Sequence, residues 1–386
     1  MAAPAPLMKF TVEAGKYDRV DTPVSASLAG SDADKPYRLE EIVGGEGRPV
    51  ASQVEAGQPP MLWFILSGKT PAGAERHYEV LSGPSAAPAA GIEIRDIKDT
   101  SELAVGKVLR YHYGVIPPPE DVDKKFAHGA NMHPVLTPAG VVVTDDYPAD
   151  HRHQRGIWFS WTKTEFEGRH VDFWNLGDGT GAIRCIGTPV QASGPVFSEF
   201  LAKHDYLDRK APEGEKVVLK ENFKVRVWNI GGPQKAFLWD LVATQRCATA
   251  GPLKLPKYYY GGLGYRGPLD WMKNCNMLTS EGKTRKDGNE TKGRWCDVSG
   301  ESGGKAAGVL IMSHPQNFRH PEPLRLNPQQ PQICFAPSQE GEWSIEPGKD
   351  YVWRYRFCVH DGEVKADEAS RLWADFGEPP AVRIQP

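Results

Sequence analysis

What most constrains this chain is that its apolar residues recur in short β-forming segments parted by turn residues, and almost nowhere with the 3.6-residue period of a helix. Within residues 9–83 such segments fall at 10–12, 24–28, 37–43, 50–54, 61–66 and 77–81, spaced by about 8 to 15 residues. That spacing predicts a small, Ig-like β-sandwich. The stretch 82–91 holds only small residues and prolines without charge, which predicts a linker and puts a domain boundary near residue 92.

The larger part keeps the same signature, with predicted strands at 107–113, 141–144, 157–164, 217–230, 236–248, 307–312 and 351–360. Alternation is clearest in Val225-Arg226-Val227-Trp228 and in Trp353-Arg354-Tyr355-Arg356-Phe357, where arginines and aromatics interleave. Residues 229–234 read as a hairpin connection, and 364–376 as the one helix, with Ala366, Ala369, Leu372 and Trp373 near one face. The predicted fold class is therefore all-β. A small N-terminal β-sandwich, 1–91, precedes a large sandwich of packed sheets, 92–386, whose concave face or loop end would carry the site.

Composition removes several kinds of function. Lys+Arg 46 against Asp+Glu 49 leaves no basic surplus for a nucleic-acid backbone, so no polynucleotide partner is expected. The longest apolar run, 61–66, is far too short to span a bilayer as a helix, and no membrane segment is expected. The first six residues lack the charged and apolar regions of a secretory signal but are compatible with an already processed chain. All six cysteines lie beyond residue 184 without a C-x-x-C pair, which argues against a thiolate metal site. Cys275 and Cys296 flank the polar stretch 279–294, predicted to be a long loop, and a disulfide between them is compatible with an exported protein.

Chemistry concentrates in Asp145-Asp146-Tyr147-Pro148-Ala149-Asp150-His151-Arg152-His153-Gln154-Arg155-Gly156, followed by Trp158, Trp161 and Asp172-Phe173-Trp174-Asn175. Titratable groups beside aromatics suit a sugar. Aromatic faces stack on the C–H side of a pyranose, while Arg, Asn, Asp and His choose among hydroxyls. The alternative is that Trp158 and Trp161 are core residues and the charged run a solvated loop.

The run Asp150-His151-Arg152-His153-Gln154-Arg155-Gly156-Ile157-Trp158 resembles the Asp-His-x-x-His-Arg-Gly-Leu-Trp signature of the methane oxygenase PmoA-like family. The resemblance extends through Arg110-Tyr111-His112-Tyr113-Gly114, His133-Pro134-Val135, Asp172-Phe173-Trp174-Asn175, Tyr260-Gly261-Gly262-Leu263-Gly264-Tyr265-Arg266-Gly267 and His314-Pro315-Gln316-Asn317. It implies a galactose-mutarotase-like β-supersandwich, a setting in glycan degradation and a periplasmic or secreted location. Gln154 stands where the signature has its second His, so a metal site using that position is not implied here. The preceding domain, with Arg19-Val20-Asp21-Thr22-Pro23-Val24 and Gln53, resembles the sandwich that precedes some pectin-type lyase domains.

Roles follow from side-chain chemistry. His151 and His153 can exchange protons near neutrality and would share a face if their segment is extended. Arg155, Arg266 and Arg319 could pair with a carboxylate or an enolate-like oxygen. Tyr265 either supplies a proton or packs against glycine backbone. The expected catalytic set is His151, His153, Arg155, Tyr265 and His314. The expected substrate-binding set is His133, Trp158, Trp161, Trp174, Asn175, Arg266, Asn317 and Arg319. All are expected on one concave pocket that takes a carbohydrate and needs no metal or cofactor. The leading expectation is a lyase or hydrolase acting on a glycoside. The alternatives are an aldose epimerase or mutarotase, a metal-dependent oxygenase using His151, His153 and Glu165, and a non-catalytic glycan-binding protein.

Overall fold

A computed structural model describes residues 5–29, 35–84, 91–230 and 236–385. The expected linker falls mostly, and the 229–234 connection mostly, outside the described residues. The protein is almost entirely β, and among the described residues the one α-helix is Ala366–Gly377.

Two small sheets face each other at the N-terminal end. One has Tyr37–Val43 between Glu46–Val50 and Glu75–Ser82, then Met8–Glu13; the other has Met61–Thr70 between Arg19–Ser27 and Ser52–Glu55. Period-2 alternation turns Phe10, Phe64 and Tyr78 into the space between them, with ring centroids 4.9 to 5.9 Å apart. The last strand, Ala381–Ile384, was expected in the larger part. It pairs instead with Met8–Glu13 and completes the small sheet.

Beside a small four-stranded sheet of Arg169–Val171, Thr164–Phe166, Leu253–Leu255 and Trp343–Ile345, the larger part is built on two long antiparallel sheets. One runs Gly181–Cys185, Phe197–Asp208, Lys216–Trp228, Ala236–Cys247, Tyr351–Asp361, Lys305–Ser313, Trp295–Ser302 and Asn276–Thr279. The other runs Thr291–Gly293, Glu322–Leu326, Gln332–Phe335, Gly262–Arg266, Ile157–Ser160, Asn131–Val135, Leu109–His112, Glu102–Val105 and Ile94–Ile97. Their inner faces share one core. Val225, Val227, Trp353, Tyr355 and Phe357 enter it from the first sheet, and Phe159, Leu263, Ile333 and Phe335 from the second. The interleaved arginines point the other way. Arg226 sits 3.9 Å above the Phe197 ring and pairs with Glu55 and Glu199, while Trp228 meets Trp63 at 5.1 Å. The outer face of the long sheet is thereby buried against the small sandwich and the helix.

Several expectations are corrected. Residues 141–144 form a single bridge, Leu136 with Val142, rather than a strand. Strand 107–113 begins at Leu109, after a separate strand Glu102–Val105 and a turn at Gly106. The 279–294 stretch holds the edge strand Thr291–Gly293, and no disulfide spans it: all six cysteines are free thiols. Cys296 is instead a core residue on strand Trp295–Ser302.

Arg19 and Gln53, singled out above, act as clamps. Arg19 donates to Ala374 O and Glu378 O and pairs with Asp375 at 3.1 Å, and Gln53 Oε1 accepts from the backbone of Val196 and Phe197.

Candidate functional site

The outer face of the second sheet is where its polar residues emerge. On strands Ile157–Ser160, Gly262–Arg266 and Gln332–Phe335 the odd positions feed the core, so Trp158, Gly264, Arg266, Gln332 and Cys334 face outward. Gly264 lies opposite Trp158, and a Cβ there would stand 2.6 Å from Trp174 and 2.8 Å from Trp158. Only glycine leaves room for the two indoles. They pack 4.7 Å apart, with Tyr260 5.5 Å beyond Trp174, and form an aromatic floor.

Over this floor opens a cavity of about 180 Å³. One wall is the turn that carries His151, His153 and Gln154; another is Trp174 and Asn175; Tyr259 and Tyr260 close a third side, and Arg325, Asn327 and Gln332 the last. The histidines do not share a strand face as expected. Hydrogen bonds from His151 N to Pro148 O and from Gln154 N to His151 O fold the segment into turns, and the turns bring the two rings to 5.6 Å. Gly156 ends the segment at φ 65°, with Met132 O where a Cβ would be, so the signature glycine is required by close backbone approach.

Asp150 anchors this turn. Both its oxygens receive Arg266, at 2.8 and 3.0 Å, and Arg266 also donates to Gln154 Oε1 at 2.8 Å. Burial pushes the Asp150 carboxyl up, but the Arg266 bonds and charge prevail and hold it below the usual range. Its Oδ2 lies 3.2 Å from His151 Nδ1, which also lies 2.8 Å from Gln330 Nε2. Nδ1 of His151 is thus engaged with protein, and among the described residues Nε2 has no hydrogen-bond partner. His153 differs. Burial, followed by the charges of His151 and Arg155, pushes it down to about 3, so its imidazole is neutral at neutral pH. Among the described residues its ring nitrogens have no hydrogen-bond partner.

Of the expected site residues, the structure brings His151, His153, Trp174 and Asn175 to the cavity. Asn175 is a saturated wall: its amide donates to Asp172 and Thr162 and accepts from Tyr260. Arg266 and Trp158 lie directly behind, as anchor and floor. The others are elsewhere. Arg155 is fully buried and donates to Phe173 O; burial lowers its pKa to about 10. Tyr265 faces the core with its hydroxyl on Val143 O, its pKa raised by burial. Trp161 is a core residue bonded to Gln245, and His133 is bonded to Thr144. His314 packs on Phe376 of the helix, Asn317 is bonded to Glu322 and Arg354, and Arg319 caps the carbonyls of Pro337, Gly341 and Glu342.

Arg325, Tyr259, Tyr260, Asn327 and Gln332 were missed by sequence reasoning. The Tyr258-Tyr259-Tyr260 triplet before Gly261-Gly262 was a visible signal, and so was Arg325 alternating between Leu324 and Leu326. Arg325 donates to Asn289 and lies over the Tyr259 ring at 5.3 Å, and among the described residues it has no carboxylate partner. Among the described residues no Asp or Glu lines the cavity. Glu165, the third member of a conceivable metal triad, pairs with Lys254 on a different small sheet, and among the described residues no group of three or more His, Cys, Asp or Glu is placed to hold a metal.

Fold and cavity together define an all-β protein of packed sheets with an electropositive, aromatic-floored pocket on an outer sheet face. The chain belongs to a family of unknown function (DUF6807), which matches residues 102–374. That match corrects the expected membership of the methane oxygenase PmoA-like family, which nothing in the comparisons supports. No curated protein matches the chain. Among solved structures it is similar to a heparan sulfate lyase HepC mutant from Pedobacter heparinus, with 11% identity and a TM-score of 0.34 over 73% of this chain and 38% of the lyase. It thus spans well under half of that protein. It is also similar to a GalM/aldose epimerase homologue from C. elegans, with 11% identity and a TM-score of 0.29 over 72% of this chain and 100% of the homologue. Among the described residues no helix is long and apolar enough to cross a membrane.

Proposed function

We propose that the cavity is the active site of a carbohydrate-active enzyme that acts on an acidic sugar by proton abstraction, a polysaccharide lyase. The observation that carries this is the lining itself, which has two imidazoles and an unneutralised guanidinium but no carboxylate. Glycoside hydrolysis ordinarily uses a pair of carboxylates flanking the scissile bond, and the cavity offers none. Elimination needs other groups: a cation to hold the sugar carboxylate, a base for the proton beside it, and a donor for the leaving oxygen.

In this reading Arg325 pairs with the carboxylate and favours the enolate-like form. His151 takes the proton through Nε2, in the tautomer whose Nδ1–H donates to Asp150 Oδ2. The electron pair becomes the new C=C bond, the C–O bond to the departing sugar breaks, and that oxygen leaves as an alcohol on taking up the proton that the His151 imidazolium returns. His153, neutral at working pH, donates an N–H hydrogen bond to the leaving oxygen. Among the described residues the small sandwich lends no side chain to the cavity, and its role here is to support the sheet opposite.

The test is a panel of acidic and neutral polysaccharides followed by the ultraviolet absorbance of a conjugated unsaturated uronate. The expected result is absorbance with an acidic polymer only. New reducing ends without absorbance would show hydrolysis instead, and binding without product would make the protein a glycan-binding module.

A further inference from the structure

A single cavity of about 180 Å³ is smaller than the roughly 300–1,000 Å³ of an ordinary small-molecule site. It accommodates little more than one sugar ring. Beside it lies a second cavity of about 400 Å³, and Tyr259 lines both. We propose that the two are subsites of one cleft, divided by Tyr259, which binds an acidic oligosaccharide of at least two residues rather than a monosaccharide. This rests on the carbohydrate reading above and deepens it.

Strand register makes the two cavities neighbours on one surface. Leu324 and Leu326 turn into the core, so Pro323 and Arg325 share the outer face of strand Glu322–Leu326. Arg325 lines the first cavity and Pro323 the second. Lys292, opposite Pro323 in the antiparallel register, carries the second cavity onto the edge strand. The cleft therefore crosses strands Gln332–Phe335, Glu322–Leu326 and Thr291–Gly293 in order.

Tyr259 is built as a platform. Its side chain belongs to one of the few large exposed apolar residues, at 43% exposure, yet its position is fixed. Gln339 Nε2 donates to Tyr259 O at 3.0 Å, Tyr258 N donates to Ser338 O at 3.1 Å, and the rings of Tyr258 and Tyr260 pack at 4.6 and 4.8 Å. An exposed aromatic held on three sides gives stacking area at little entropic cost. Charge continues along the same line. Lys257 has no carboxylate partner among the described residues, whereas Lys292 is held by Glu340 at 2.6 Å. Lys257 can reach a sugar carboxylate or hydroxyl from the second cavity, but Glu290 and Glu340 line it as well and balance its two lysines, so the acidic unit of the ligand is read by Arg325 in the first.

The experiment is calorimetric titration of the full chain with defined hexasaccharides of galacturonate, mannuronate, hyaluronan and chondroitin, with the matching monosaccharide uronates, and with cellohexaose. One acidic hexasaccharide should bind at least tenfold more tightly than its monosaccharide. Lys257→Ala and Tyr259→Ala should remove most of that gain, Tyr259→Phe should keep it, and Arg325→Ala should weaken both lengths. Equal affinity for the two lengths would overturn the cleft while leaving the one-ring pocket standing. Equally tight cellohexaose would overturn the acidic class. Binding of no sugar would overturn both the cleft and the functional reading on which it rests.

Discussion

The turn 150–156 and the segment 313–322 carry the same kinds of residue, His, Asn or Gln, and Arg beside aromatics, and the structure gives them opposite fates. In the turn, Arg266 satisfies Asp150, but among the described residues His153 keeps both ring nitrogens without partners and Arg325 across the cavity has no carboxylate to neutralise it. In the second segment the polar groups of Asn317, Glu322 and Arg319 are consumed. Asn317 donates to Glu322 and Arg354 O and accepts from Arg354 N, Ser313 and Tyr355 donate to the buried Glu322, and Arg319 spends its guanidinium on backbone carbonyls. The lesson is that residue type nominates a site, whereas spare hydrogen-bonding capacity facing an opening makes one.

The largest effect is expected at Asn317. Asn317→Ala strips a buried carboxyl and a backbone segment of partners at once and should cost roughly 3 kcal/mol of stability, read as a lowered denaturation midpoint, while sugar affinity in the surviving folded protein is unchanged. A stable variant with lost affinity would move the site to this segment. Next in size, His151→Ala or His153→Ala should lower turnover by about 100-fold with little change in the unfolding midpoint. If either variant unfolds instead, the turn is structural like its counterpart.

A third test uses pH. Burial raises Glu322 to about 7, with the bonds from Ser313, Asn317 and Tyr355 opposing it only in part. The native state therefore holds this proton more tightly than the unfolded chain. Stability from this group is present below the unfolded value of about 4.5 and is lost as pH rises towards 7, with a slope of at most about 1.4 kcal/mol per pH unit. Glu322→Gln should flatten that slope, and an unaltered slope would assign it to another group. The smallest effect is expected of His314→Gln, since the ring, pushed down to about 4 by burial and by Arg354, stays neutral and packs on Phe376 at 5.0 Å. Turnover should be unchanged and stability altered by no more than roughly 0.5 kcal/mol; a fall like that of the His151 variant would return His314 to the site.

Much of the fold was legible because alternation is local. Val225, Val227, Trp353, Tyr355 and Phe357 read as one strand face and form one. Strand Phe197–Asp208 escaped notice because Glu199, Lys203, His204 and Asp205 interrupt the apolar pattern; His204 is buried against Glu221, with Tyr111 on its other nitrogen. The C-terminal strand Ala381–Ile384 was invisible for a different reason. Four mostly exposed residues have no pattern to show, and their partner lies some 370 positions away.

By itself the sequence determined an all-β chain, the helix near its end, and the turn segment where histidines and acids meet a tryptophan strand. It did so because side-chain alternation and turn chemistry act over a few residues. Only the tertiary structure decided which face each strand showed to solvent. A shift of one residue separates Tyr265, sealed in the core, from Arg266, which holds the turn in place. Only it brought Tyr259 and Arg325 to the histidines, because their strands and loops become neighbours through pairing between segments more than 100 residues apart.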